Sequence, residues 1–160
     1  MKRLWAPWRL EFVSKATRKM DECIFCDLPR EDNDESNYIA KRGRSSYVIL
    51  NSYPYNNGHS MVAPYKHVRN LEDLTNQELL EHFDMVRDVI KALKKIYRPK
   101  AFNIGMNLGR SAGAGIADHI HSHIVPRWDG DTNYMPVISD TKIVHESLSS
   151  TYKKLSKTLK

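Results

Sequence analysis

The chain is short of several things, and each shortage removes a class of protein. Two cysteines in 160 residues cannot build a disulfide framework. No apolar run approaches the ~20 residues that a membrane span needs, and the N-terminus has no hydrophobic signal core. A cytoplasmic protein without a membrane partner is expected. Acidic residues are in deficit, 19 against 25 basic, which leaves a formal charge of +6 and makes an anionic partner attractive. There is no regular basic helix and no strand of stacking aromatics, so a nucleic-acid-binding module is disfavoured. With 41% hydrophobic residues, the chain can bury one sizeable core and is short for two.

What is present is histidine in an ordered place. His119-Ile120-His121-Ser122-His123-Ile124-Val125 puts three imidazoles at alternate positions ahead of Pro126. On a β-strand this spacing sets all three on one face, roughly 7 Å apart, and turns Ile120 and Ile124 to the other. Isoleucine, valine and the closing proline favour a strand over a helix. One face is then chemical and the other is core. Just upstream runs Gly109-Arg110-Ser111-Ala112-Gly113-Ala114-Gly115-Ile116. Its backbone N–H groups can converge on an anion, with the Ser111 hydroxyl and the Asn107 amide as further donors. Taken alone, that loop reads equally well as a flexible hairpin.

Cys23-Ile24-Phe25-Cys26 has the separation at which two thiolates share a metal ion. A redox pair would open a helix after a strand in a thioredoxin-like unit, and that context is missing; two buried thiols packed as small hydrophobes remain an alternative. Zinc would need two more ligands, for which histidines have the right chemistry.

Between these motifs the pattern is α+β. Tyr38–Ala40, Tyr47–Asn51 and Ser60–Pro64 read as strands, the last two joined by a reversal through Pro54 and Asn57-Gly58. Thr75-Asn76-Gln77-Glu78 is a capping box, followed by a stripe of Leu79, Phe83, Val86, Ile90 and Leu93 that would leave Glu81, Arg87, Lys91 and Lys94 in water. This helix should stop before Arg98-Pro99. His82 has no chemical role in this reading. Ala101–Leu108 is a further strand. From about Lys142, helical spacing at Val144, Leu148, Tyr152, Leu155 and Leu159 predicts a C-terminal helix lying on the body.

The three-histidine run resembles the signature of the histidine triad family of nucleotidyl hydrolases and transferases. Two more stretches, Leu4-Trp5-Ala6-Pro7-Trp8-Arg9 and Pro126-Arg127-Trp128-Asp129-Gly130-Asp131-Thr132-Asn133-Tyr134-Met135-Pro136, look like the branch containing bacterial diadenosine tetraphosphate phosphorylases. The resemblance implies an antiparallel sheet of about five strands with one main helix and a C-terminal helix, and a homodimer. It divides the chain into an anchoring segment over 1–19, a domain over 20–138 and a helical tail over 139–160.

The resemblance also distributes roles. Cys23 and Cys26 would be joined by His67 and His119 in a structural zinc site. Asn51 would hold the ribose hydroxyls of an adenine nucleotide, with His59 beside the triad. Where family members often carry Gly-Gln-Ser or Gly-Gln-Thr, this chain has Ala114-Gly115-Ile116, which leaves phosphate donation to the backbone of Gly115 and Ile116 or to Ser111. The resemblance sets Trp128 by the nucleotide-binding groove; there it could stack a base and Arg127 could offset polyphosphate charge, or either could be a packing or subunit contact. His121 would attack the α-phosphorus, forming a nucleotidyl-histidine, and His123 would donate to the phosphate or leaving oxygen, with no catalytic cofactor. Inorganic phosphate as second substrate makes a phosphorylase of a dinucleoside polyphosphate. Water instead makes a hydrolase, adenosine phosphoramidates make a phosphoramidase, and a pocket without turnover makes a nucleotide sensor.

Overall fold

The structure, a computed structural model, describes residues 23–132 and 143–160. The expected anchoring segment over 1–19 and the run from Asn133 to Pro136 lie outside the described residues. Five strands, β1 (Ile39–Arg42), β2 (Ser46–Leu50), β3 (Ser60–Pro64), β4 (Ala101–Met106) and β5 (Ser122–Arg127), form one antiparallel sheet in the order β1-β2-β3-β5-β4. Among the described residues three α-helices accompany it: α1 (Ile24–Asp27), α2 (Asn76–Tyr97) and α3 (Leu148–Thr158).

Every residue of β2 and β3 is buried, because both faces of the sheet are covered. On one face Val48, Leu50, Val62 and Ile124 pack with Met85, Val86, Val89 and Leu93 of α2 and Leu155 of α3. On the other, Tyr47, Ile49, Met61 and Ala63 pack with Phe25 of α1. The first core supports the sheet, and the second forms the floor of the site described below.

The capping box forms as read. Thr75 accepts from the Glu78 backbone, the Glu78 carboxylate takes the Thr75 N–H, and the helix runs to Tyr97 with Arg98 left-handed at φ 49° before Pro99. Its buried stripe is offset from the expected one. His82, Met85, Val86, Val89, Ala92 and Leu93 face the sheet, whereas Phe83 is 49% exposed. Met85, Val89 and Ala92 widen the apolar stripe to that side, and His82 on the same face meets the Ser122 hydroxyl. Glu81, expected in water, instead accepts from the Arg44 and Ser45 backbone and the Ser45 hydroxyl, tying the β1–β2 turn to α2.

Two boundaries also move. The C-terminal helix begins at Leu148 and not near Lys142, since Ser147 caps it and Glu146 is taken up by Tyr97, Ser150, Thr151 and Lys154. It lies on the body as expected, with Leu155 and Leu159 buried. The strand carrying the triad starts only at Ser122. His119 to His121 run ahead of the ladder because the Ile120 N–H goes to the Val68 carbonyl at 2.8 Å, outside the sheet. Among the described residues, no helix is long and apolar enough to cross a membrane.

Candidate active site

His121 and His123 face one cavity, and their hydrogen bonds give each a different protonation pattern. His121 Nδ1 lies 2.9 Å from the His119 carbonyl oxygen. A carbonyl only accepts, so Nδ1 carries the proton and Nε2 keeps its lone pair. Burial holds the His121 pKa below the usual imidazole value, against the pull of that hydrogen bond.

His123 is controlled from the opposite side. The Tyr55 backbone N–H donates to His59 Nδ1 at 3.1 Å, so a neutral His59 bears its proton on Nε2 and donates it to His123 Nδ1 at 3.0 Å. The His123 proton is thereby placed on Nε2. Burial and the nearby His123 and His121 push the His59 pKa down to about 3, which keeps this relay neutral. The His121 and His123 rings sit 4.8 Å apart, centre to centre, closer than the strand repeat because the side chains lean together. One bare nitrogen and one N–H therefore stand side by side. His59 reaches this place because Gly58 adopts φ +76° where a Cβ would meet Leu93 of α2 at 2.8 Å.

These rings open on a cavity. Ile24, Phe25, Leu28, Ile49 and Met61 give it an apolar wall, and Asn51, Asn107, His121 and His123 converge from the polar side. Gly113, Gly115 and Ile116 bring the glycine-rich loop to its edge, and Tyr53 and Tyr55 form the rim. An apolar slot beside a bare imidazole nitrogen and an imidazole N–H suits a flat base and a phosphate.

The structure thus brings together most of the residues singled out from the sequence. Asn51 lines the cavity and accepts from the Tyr53 N–H through Oδ1 at 2.8 Å. Ser111 is exposed on a short turn, Arg110–Ala112, outside the lining. Trp128 is also absent from the lining; its indole N–H points to the Tyr97 carbonyl at 3.4 Å. Arg127 is bound in a fork to both Asp131 oxygens, at 2.6 and 2.9 Å, and to Asn103, so its charge is already balanced.

Phe25 and Tyr55 escaped the sequence reading. Phe25 packs 4.5 Å from the His121 ring and 5.3 Å from His119, and the Tyr47 hydroxyl holds its carbonyl at 2.8 Å. Its only signal was an aromatic between two cysteines. Tyr55 packs 4.7 Å from His59, with the Tyr53-Pro54-Tyr55 aromatic pair as its signal.

Behind the triad, the ligand atoms of Cys23, Cys26, His67 and His119 all lie within 4.8 Å of one another. His119 Nδ1 is 3.3 Å from Cys23 Sγ, 3.5 Å from Cys26 Sγ and 3.3 Å from His67 Nδ1, and Cys26 Sγ is 3.3 Å from His67 Nδ1. A tetrahedral metal site with these donor types has edges of roughly 3.3–3.6 Å, so the four can hold one ion. The His119 Nε2 proton goes to the Pro64 carbonyl at 2.9 Å, leaving Nδ1 for the metal. Burial and the Cys23 thiol alongside push the Cys26 thiol up to about 11.

Residues 32–130 match the family described as HIT domain. The chain is 39% identical over 163 aligned positions to the AP-4-A phosphorylase of Mycobacterium tuberculosis, covering 98% of this chain and 83% of that protein. Among solved structures, a hypothetical histidine triad nucleotide-binding protein from Sulfolobus tokodaii superposes with a TM-score of 0.66 at 28% identity, over 86% of this chain and 89% of that one. A zinc-bound histidine triad family protein from Mycobacterium smegmatis shares the fold with a TM-score of 0.68 at 21% identity, over 86% and 93% of the two chains.

Proposed function

The chain belongs to the HIT domain family, and from that premise we propose that this enzyme is a dinucleoside polyphosphate phosphorylase, converting diadenosine tetraphosphate and inorganic phosphate to ATP and ADP. The observation that carries the reading is the 2.9 Å contact from His121 Nδ1 to the His119 carbonyl, which leaves Nε2 bare and facing the cavity beside a second histidine. The relative named AP-4-A phosphorylase supports the substrate.

In the first step Nε2 of His121 attacks the α-phosphorus, and the bond from that phosphorus to the bridging oxygen breaks. The electron pair leaves with ATP, and the adenylyl group stays on His121. The Nε2 proton of His123 lies on the same side and offsets charge building on the phosphate or the departing oxygen. Inorganic phosphate then attacks the adenylyl phosphorus, ADP departs, and His121 regains its lone pair. Asn51 holds the ribose, Asn107 and the backbone of Gly115 and Ile116 hold the phosphates, and the slot beside Phe25 takes adenine.

The metal cluster in this reading is a structural zinc site. Bound there, zinc would supply a cross-link joining Cys23 and Cys26 at α1 to His67 after β3 and His119 at the triad, while taking no part in the attack. The protein acts as a homodimer in the cytoplasm. Support for pairing comes from β4, an edge strand with Ile104 exposed at 49%, followed by Leu108, also at 49%.

Product analysis with and without phosphate tests the activity. ADP plus ATP, formed at a rate that rises with phosphate, is expected. AMP plus ATP at a rate indifferent to phosphate would replace the phosphorylase with a hydrolase.

A further inference from the structure

The fold buries a polar pair that the chemistry above does not use. His82 of α2 is fully buried, and its Nε2 lies 2.7 Å from the hydroxyl of Ser122, which is 1% exposed. The other ring nitrogen, Nδ1, is buried with no hydrogen-bond partner. A proton on Nδ1 would be an unsatisfied buried donor, so the proton sits on Nε2 and is donated to Ser122 Oγ. Burial, with a smaller push from His121, lowers the His82 pKa to about 4, in keeping with a neutral ring.

Nothing around the pair demands polarity. Met85 and Val86 follow one turn along α2, Val62 lies opposite Ser122 in β3, and Ile124 follows it on β5; all four belong to the apolar core. An apolar pair of similar volume would cost less to bury there.

The position of Ser122 gives the pair a purpose. Ser122 is the first residue of β5 and pairs with both Val62 and Met106, while His121, immediately before it, has left the ladder. The backbone bearing the nucleophile is therefore fixed by the sheet only on its far side. Its side chains point alternately, so the Ser122 hydroxyl enters the core while His121 and His123 face the cavity.

We propose that His82 is a positioning residue for this reaction: through Ser122 it clamps the strand between His121 and His123 to α2 and fixes the separation and aim of the two catalytic rings. The inference rests on the assignment of His121 as nucleophile. A clamp acts on the geometry of the transition state, so its loss lowers kcat while nucleotide binding holds.

The experiment compares wild type, His82→Gln and the double variant His82→Leu with Ser122→Ala, following diadenosine tetraphosphate cleavage per folded molecule together with thermal stability. The double variant removes both polar partners and is expected to keep or raise its Tm, to hold KM within about twofold, and to lose roughly tenfold to a hundredfold in kcat. A glutamine amide can still donate to Ser122, so His82→Gln should recover most of kcat. Wild-type kcat in the folded double variant overturns the proposal, as does a rise in KM with kcat intact. A His121→Asn control separates the two ideas, because retained activity there removes the nucleophile assignment before any His82 variant is considered.

Discussion

His121 Nδ1 lies 2.9 Å from the carbonyl oxygen of His119, so the peptide of one triad residue sets the tautomer of the next. Which nitrogen keeps its lone pair is thus chosen by the backbone. His121→Asn should lower turnover by at least about a thousandfold, while the affinity for a non-cleavable dinucleotide analogue changes by less than about threefold. Calorimetric binding alongside product assays checks this; substantial residual turnover would move the nucleophile elsewhere.

The acid side of the stability profile should be steep. His59 and His82 are held neutral by burial, at about 3 and about 4, and take up protons only on unfolding. The unfolded chain then binds more protons than the native one below pH ~6.5, so their contribution is full above that pH and declines as pH falls toward 4. Each histidine adds a slope of up to about 1.4 kcal/mol per pH unit. Urea unfolding from pH 7 to 4.5 should show it, and the double variant at His82 and Ser122 should lose about one proton's share. An unchanged slope in that variant contradicts a neutral buried His82.

Metal analysis after purification without added metal should give about one zinc per chain. Cys26→Ser should abolish it and lower stability by about 4 kcal/mol or more, since α1, the segment after β3 and the triad lose their common tie. A metal-free native protein with wild-type Tm would remove the site.

Asn51→Ala should weaken nucleotide binding about tenfold with little change in Tm, because Asn51 Oδ1 accepts only the Tyr53 N–H on the rim and faces the cavity. Isothermal titration provides the measurement. Equal affinity would place the ribose away from this residue.

Sedimentation should find two chains per particle, and Ile104→Lys on the exposed edge of β4 should shift the equilibrium to one chain, with at least a tenfold weaker association. Wild-type monomers at micromolar concentration contradict the dimer.

Local patterns proved legible where the chain dictates its own geometry. The capping box at Thr75, the stop before Arg98-Pro99 and the reversal at Asn57-Gly58 depend on neighbours within a few residues, and they form as read. The convergence of Cys23, Cys26, His67 and His119 was reachable only through resemblance, because contacts spanning up to 96 residues leave no periodic trace. Phe25 went unseen for the same reason, because the His121 ring it packs on is distant along the chain.

An α+β chain with histidines at alternate positions could be read from the sequence, and alternation does turn His121 and His123 to one cavity with Ser122 facing away, although only His123 lies within β5. Only the tertiary structure decided which nitrogen of each ring is bare. That depends on the His119 carbonyl, the Tyr55 N–H and the ring of His59, groups brought to the imidazoles by backbone path and sheet register. Tertiary packing likewise decided that α2 turns His82 inward and Phe83 outward. His82 shares its face with the buried Met85, Val89 and Ala92 and meets Ser122, on a strand 40 residues away, at 2.7 Å, while Phe83 is left exposed.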